Sequence, residues 1–195
     1  MYKRQVERST GIKINYGESV AAVEAAPNGG FVVITNKRRY NTRAVLLTIG
    51  RRGSPRKLGV AGEEMDKVVY RVIDPQQYRG MHVLVVGGGD SALEAATSIA
   101  AEAGTTVTLS YRSAAFSRAK LKNRTLVEEM VASGRLRVLY SSTVKAIRDG
   151  AVDIEVDASV AEIPNDAVVV SAGGILPSAF LKTIGIHVET KWGTE

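Results

Sequence analysis

At 195 residues the chain has room for one domain or one and a half, and its apolar fraction of 45% is ordinary for a globular protein. Without cysteine, and with only His82 and His187, it excludes disulfides, iron–sulfur ligation, dithiol redox chemistry and a histidine metal cluster; no run nears the ~20 apolar residues of a membrane span, and Met1–Gln5 holds no apolar signal core, so a cytoplasmic protein with no membrane partner is expected. The net charge of +6 gathers at Lys37–Arg39, at Arg51, Arg52, Arg56 and Lys57, and from Arg112 to Arg124, without the pattern of interleaved aromatics that nucleic-acid stacking requires, so nucleic acid is not an expected partner.

In chain order, Gly11–Tyr16, Phe31–Thr35 and Tyr40–Ile49 are β-branched runs, and Asn28-Gly29-Gly30 supplies the turn between the stretch Ser19–Glu24 and Phe31. They predict an antiparallel meander. Its end, Ala44–Ile49, is a continuous apolar run of the kind that fits a strand covered on both faces. A linker from Arg51 to about Gly80 carries Pro55, Pro75 and several glycines. Within it Glu63, Glu64 and Asp66 form an acidic cluster beside basic residues, read as a solvated loop rather than as an acid or base.

The middle of the chain reads strand His82–Val86, helix Ser91–Ala103, strand Thr106–Tyr111, helix Lys122–Ser133 stopped by Gly134, and strand Leu136–Tyr140. This βαβαβ order predicts an α/β, Rossmann-like domain with a parallel sheet and right-handed crossovers. Thr143–Ile147 and Val152–Val156 predict a hairpin through Asp149-Gly150, and Ala167–Ser171 another buried strand. His82 opens the first strand and is read as structural. Ile175–Glu195 shows no stop signal and no covering element.

The junction of the first strand and first helix carries the chemistry. Val83–Val86 enters Gly87-Gly88-Gly89, which opens directly into Asp90-Ser91-Ala92, a G-x-G-x-x-A turn in the strand–turn–helix setting that gives it meaning. Gly87 permits the tight turn, Gly89 lets backbone approach a pyrophosphate, and Ala92 lets the helix pack against the strand. The free N–H groups of the helix start at Asp90 and Ser91 then face the phosphates. About 20 residues beyond the turn, where a dinucleotide fold places the residue that reads the ribose, stands Arg112. No Asp or Glu occurs from Gly104 to Val127 to accept a ribose 2′-hydroxyl, so a 2′-phosphate, and hence NADPH, is the expected ligand. Ser113 offers one hydroxyl. Arg118, Lys120 and Arg124 are further cations, and the sequence leaves open which of them joins Arg112.

With these residues in hand, the chain resembles the thioredoxin-reductase-like branch of FAD-dependent pyridine-nucleotide oxidoreductases. Thr48-Ile49-Gly50 with Gly59-Val60-Ala61-Gly62-Glu63 is similar to the strand end and loop leaving that family's FAD domain. Gly87–Ala92 resembles its NADPH turn, and Tyr111-Arg112-Ser113-Ala114-Ala115-Phe116 its phosphate reader. Ser171-Ala172-Gly173-Gly174 with Pro177 is similar to its strand returning to the FAD domain. The resemblance runs from about Gly11 to the C-terminus. It implies a partial FAD-binding domain and linker over residues 1–75, an NAD(P)H-binding domain over 76–172, and the start of the return over 173–195, with Gly50 and Gly173 at cofactor-binding strand ends.

The chain departs from the disulfide reductases of that branch, whose Cys-x-x-Cys pair would fall near Val68–Asp74, where there is no sulfur. The resemblance therefore implies a ferredoxin–NADP reductase-like enzyme using NADPH and FAD, with electrons passing to a separate, protein acceptor, and by analogy a homodimer. The family's FAD glycine turn would precede Gly11 and its late Gly-Asp motif would follow Glu195, so the chain reads as a fragment. The alternative is a non-catalytic NADP(H)-sensing module. Neither catalytic residues nor a metal site is visible.

Overall fold

The structure is a computed structural model that describes residues 7–49 and 54–189. It forms two compact units, Arg52–Ile175 and Met1–Arg51 together with Leu176–Glu195.

The smaller unit has a helical turn over residues 7–10 and an antiparallel sheet of β1 (Val20–Ala25), β2 (Phe31–Thr35) and β3 (Arg39–Thr42), in that order. The expected Asn28-Gly29-Gly30 turn joins β1 and β2, closed by Ala26 N–H donating to Gly30 O at 3.0 Å. Two expected strands are absent. Residues 11–16 and 44–49 carry strand propensity, but no described strand pairs with either, and a strand without a neighbour leaves its backbone groups to solvent. Ala44–Ile49 is therefore not covered on both faces: Leu46 is 87% exposed.

In the larger unit the elements run β4 (Ser54–Pro55), β5 (Val68–Val69), a 3-10 turn (Pro75–Tyr78), β6 (His82–Val86), α1 (Asp90–Ala100), β7 (Thr106–Ser110), α2 (Leu121–Ala132), β8 (Leu136–Leu139), β9 (Ser142–Ile147), β10 (Ala151–Val156), β11 (Ser159–Pro164), β12 (Ala167–Val170) and β13 (Gly174–Ile175). The parallel sheet has the order β5-β12-β6-β7-β8. Side chains alternate across it with the strand period of two. Val83 and Val85 of β6, with Ala167 and Val169 of β12, face the helices; Leu84, Val168 and Val170 face the antiparallel meander β9-β10-β11. Both faces are thus covered, which is why these strands read as unbroken apolar runs. On α1, Ala92, Leu93, Ala96, Ile99 and Ala100 recur at helical spacing and are buried against the sheet. Leu93 and Ile99 are fully buried, each stabilising the unit by roughly 1.5–3 kcal/mol. Helix α2 stops as expected at Gly134 (φ +72°), whose N–H donates to Val131 O at 3.0 Å while Arg135 N–H donates to Met130 O at 3.0 Å.

The linker read over 51–80 is more than a linker. Its β5 pairs with β12, and Leu58, Val60, Met65, Val68 and Tyr70 pack on the meander-side core. Gly62 (φ +81°) lies so close to Ile147 O that a Cβ there would overlap it, and Ile147 N–H donates to Ala61 O at 2.8 Å. The segment after Ile175 also differs from expectation. It holds a short helix, α3 (Ser178–Thr183), in the smaller unit, stopped at Gly185 by the same pair of bonds that ends α2: Gly185 N–H to Lys182 O and Ile186 N–H to Leu181 O.

Candidate dinucleotide site

In the strand order, β7 and β8 lie on one side of β6, and β12 and β5 on the other, so the chain reverses its winding direction at the β6/β12 boundary. Ligands of open α/β sheets bind beyond the carboxyl ends of the strands at such a switch point. Val86 is the register partner of both Ser110 and Val170, so Gly87, Tyr111 and Ser171 leave the sheet at one level. The three segments singled out from the sequence, Gly87–Ala92, Tyr111–Phe116 and Ser171–Gly174, therefore start from one edge.

Each glycine of the turn is explained differently. Gly87 has φ +144°, and a Cβ there would overlap Ser171 O, next to the bond from Ser171 N–H to Val86 O at 2.7 Å. Gly88 is buried beneath the Tyr111 ring, which a Cβ would strike. At Gly89, the N-cap of α1, the backbone is extended (φ −96°, ψ 175°), a Cβ would meet nothing within 4 Å, and no side chain caps the helix. Neither conformation nor packing among the described residues demands glycine there. The first α1 bonds run from Ala92 and Leu93 N–H back to Gly89 O, at 2.9 and 3.2 Å, leaving the earlier N–H groups at Gly89, Asp90 and Ser91 without intrahelical acceptors. Open space before a helix start rich in free donors fits a pyrophosphate.

The Asp90 carboxylate does something the sequence did not disclose. Its Oδ1 accepts the backbone N–H of Lys120 at 2.9 Å and Asn123 Nδ2 at 2.7 Å, and Asn123 also donates to Glu94 Oε1 at 3.1 Å. The Lys120 N–H bond, followed by that of Asn123 and the Lys120 charge, outweighs desolvation and holds the Asp90 pKa below its ordinary value. Asp90 thus ties the start of α2 to the start of α1, which brings Arg118, Lys120 and Arg124 to the same edge. Asn123 was not foreseen; an amide near a helix start carries no signal without a known partner.

Arg112 and Ser113 follow β7, both exposed, and Arg112 makes no ion pair or side-chain hydrogen bond with any described residue. Arg118 and Lys120 are exposed, while Arg124 is half-buried and its Nε is buried without an acceptor. A buried donor left unsatisfied costs about 1–3 kcal/mol, which an anion would relieve. Gly173 (φ +86°) is exposed beyond β12, its carbonyl taking Arg56 N–H at 3.0 Å. Gly50 lies outside the described residues.

Glu63 corrects the reading of a solvated acidic loop. Only 8% exposed, its carboxylate accepts Leu58 N–H at 2.6 Å, Gly59 N–H at 2.7 Å and the Tyr70 hydroxyl at 2.8 Å. Burial pushes its pKa up, but these bonds, with Lys57 nearby, outweigh it and hold the group below 4.5. It is an organiser of the 58–70 loop. His82 has its main chain between Asp166 and Asn165, with His82 N–H donating to Asp166 Oδ2 at 2.7 Å. Among the described residues no His, Asp or Glu cluster suits a metal ion, and no helix is long and apolar enough to cross a membrane.

The sequence profile of the pyridine nucleotide-disulphide oxidoreductases matches residues 1–194, beginning ahead of the Gly11 at which the motif resemblance starts. The chain is 31% identical to the ferredoxin–NADP reductase of Ignicoccus hospitalis over 195 residues, covering 96% of this chain and 62% of that protein. It is 29% identical to the bacilliredoxin reductase Bdr of Bacillus subtilis over 169 residues, covering 85% of this chain and 52% of that protein. Among solved structures, the bacillithiol disulfide reductase Bdr of Bacillus cereus superposes with a TM-score of 0.81 at 26% identity, covering 96% of this chain and 59% of that one. The chain thus spans between half and two thirds of the length of these relatives. With a glycine turn at the switch point of a parallel sheet and a profile match along nearly its whole length, the chain belongs to the pyridine nucleotide-disulphide oxidoreductase family.

Proposed function

We propose that this chain is the NADPH-binding part of an FAD-dependent oxidoreductase that passes electrons from NADPH by way of the flavin to a separate protein acceptor. The observation that carries the reading is the open space at Gly89 before the free donors of α1, on the edge where Arg112 has no partner among the described residues. Gly89 and the first-turn N–H groups take the pyrophosphate, with Gly87 and Ala92 keeping the turn tight. Arg112 presents its planar fork to the 2′-phosphate, with the Ser113 hydroxyl beside it. Of the three further cations, the buried, unsatisfied Nε favours Arg124 as the second reader over Arg118 and Lys120.

The bound cofactors supply the hydride and electron chemistry. The residues of this chain bind and orient. Among the described residues no second glycine turn opens a helix of comparable length, and one helix start serves one pyrophosphate. The flavin site is therefore assigned to the part of the relatives' length that this chain does not span. The absence of cysteine places no thiol relay on this chain, which favours an acceptor reached from the flavin, and the cytoplasm as the setting.

Calorimetric titration of the 195-residue chain with NADPH and with NADH tests the reading. Binding of NADPH well ahead of NADH supports it; equal affinities or no binding of either overturns it.

A further inference from the structure

We propose that Tyr111 is a positioning residue for the phosphate turn: its ring sets the height of the Gly88–Gly89 peptide, and so joins the pyrophosphate end of the nucleotide site to the 2′-phosphate end at Arg112. This rests on the reading of Gly87–Ala92 as a nucleotide turn.

Gly88 is the central observation. It is not among the glycines with positive φ, so backbone conformation does not call for glycine there. What a Cβ would meet is the Tyr111 ring, at three of its carbons. The middle glycine is therefore required by the aromatic residue at the end of the next strand. That ring is packed into an aromatic cluster. It stacks on Phe116 with centroids 5.2 Å apart and planes at 22°, and Phe116, itself buried, tilts against Tyr140 at 5.1 Å.

The Tyr111 main chain is gripped as well. Its N–H donates to Leu139 O at 2.9 Å, its carbonyl accepts Ser142 N–H at 3.1 Å, and Ser113 O accepts Ser141 N–H at 3.2 Å. The β8–β9 corner thus holds Tyr111, Arg112 and Ser113 as one piece against the sheet. The hydroxyls of Ser110 and Ser142, 2.8 Å apart and buried, brace the same corner.

A positioning role separates Tyr111 from Arg112 in what each does to affinity. Loss of the ring loosens the turn that every dinucleotide uses, so Tyr111→Ala weakens NADPH and NADH alike and leaves their ratio unchanged. Tyr111→Phe keeps the ring and keeps both affinities. Arg112→Ala weakens NADPH alone.

The decisive experiment is a double-mutant cycle on the full 195-residue chain, read by calorimetric titration with NADPH and NADH and by thermal midpoint. Gly88→Ala is expected to weaken both nucleotides by about tenfold or more with Tyr111 present, and by less than about threefold in the Tyr111→Ala background, where the methyl has room. Should Gly88→Ala fail to fold, the Tyr111→Ala background is expected to restore a cooperative melt, and failure to do so overturns the proposal. Wild-type binding with an equal cost of Gly88→Ala in both backgrounds overturns the positioning role alone. A wild-type chain that binds neither nucleotide overturns the nucleotide reading, and this role with it.

Discussion

Gly89→Val separates a phosphate turn from a merely steric one. The Gly89 backbone, φ −96° and ψ 175°, lies in the extended region that a β-branched residue prefers, and a Cβ there meets nothing within 4 Å. Two opposed terms act on stability. Valine is a poorer N-cap than glycine, at about 1 kcal/mol, while removing glycine's freedom from the unfolded chain returns about 0.4–1 kcal/mol. The net change is expected to stay within about 1 kcal/mol, a shift of only a few degrees in thermal midpoint. Nucleotide affinity responds differently, because the isopropyl group fills the space through which a pyrophosphate reaches the free N–H groups of α1. A loss of about 100-fold, about 2.7 kcal/mol, is expected for NADPH and NADH alike. Calorimetry gives the affinities, and circular dichroism with a thermal melt gives the fold. Retained affinity would show that the turn is only a steric device; a collapsed melt would show that the glycine serves the fold.

Leu93→Ala, at a fully buried position between α1 and the sheet, is expected to destabilise the larger unit by about 2–5 kcal/mol in a denaturant titration. For Glu63 the lowered pKa means that its charged form stabilises the fold above pH 4.5 and that this contribution is lost as pH falls through the depressed folded value. Glu63→Gln should therefore be less stable than wild type at pH 7, with the gap narrowing toward low pH; a pH-independent gap would contradict the assignment. The purified 195-residue chain is expected to be colourless and inert toward NADPH-driven disulfide reduction, read by absorbance and a thiol-release assay, and a yellow, stoichiometrically flavinated preparation would contradict the division of cofactors between this chain and the rest of the protein.

What was legible in the sequence is what local chemistry decides. The βαβαβ order followed from apolar runs buried on both sheet faces and from Gly134, whereas the convergence of the three segments on one edge comes from the strand registers of the parallel sheet. The strands expected at residues 11–16 and 44–49 failed because a strand is a pairing, and propensity at Ile12, Ile14 or Leu46 cannot say whether a neighbour is present. Strand β11 escaped notice because its turn, Asp157-Ala158, places two residues without glycine at φ +49° and +61°, lacking the usual Asn-Gly or Asp-Gly signature. Glu63 read as solvated because its three donors, Leu58, Gly59 and Tyr70, meet it only when the loop folds back. Asp90 was singled out for its place in the turn, yet its carboxylate serves α2, thirty residues on at Lys120.

The most direct test of the central claim is the ratio of NADPH to NADH affinity, measured by calorimetry for the wild-type chain and for Arg112→Ala. Charge-assisted bonds from the guanidinium to a 2′-phosphate set the expected loss of NADPH affinity at about 10- to 100-fold, with NADH unchanged, so that the ratio falls toward unity. An unchanged ratio in the variant, or a wild type without preference, would contradict the account.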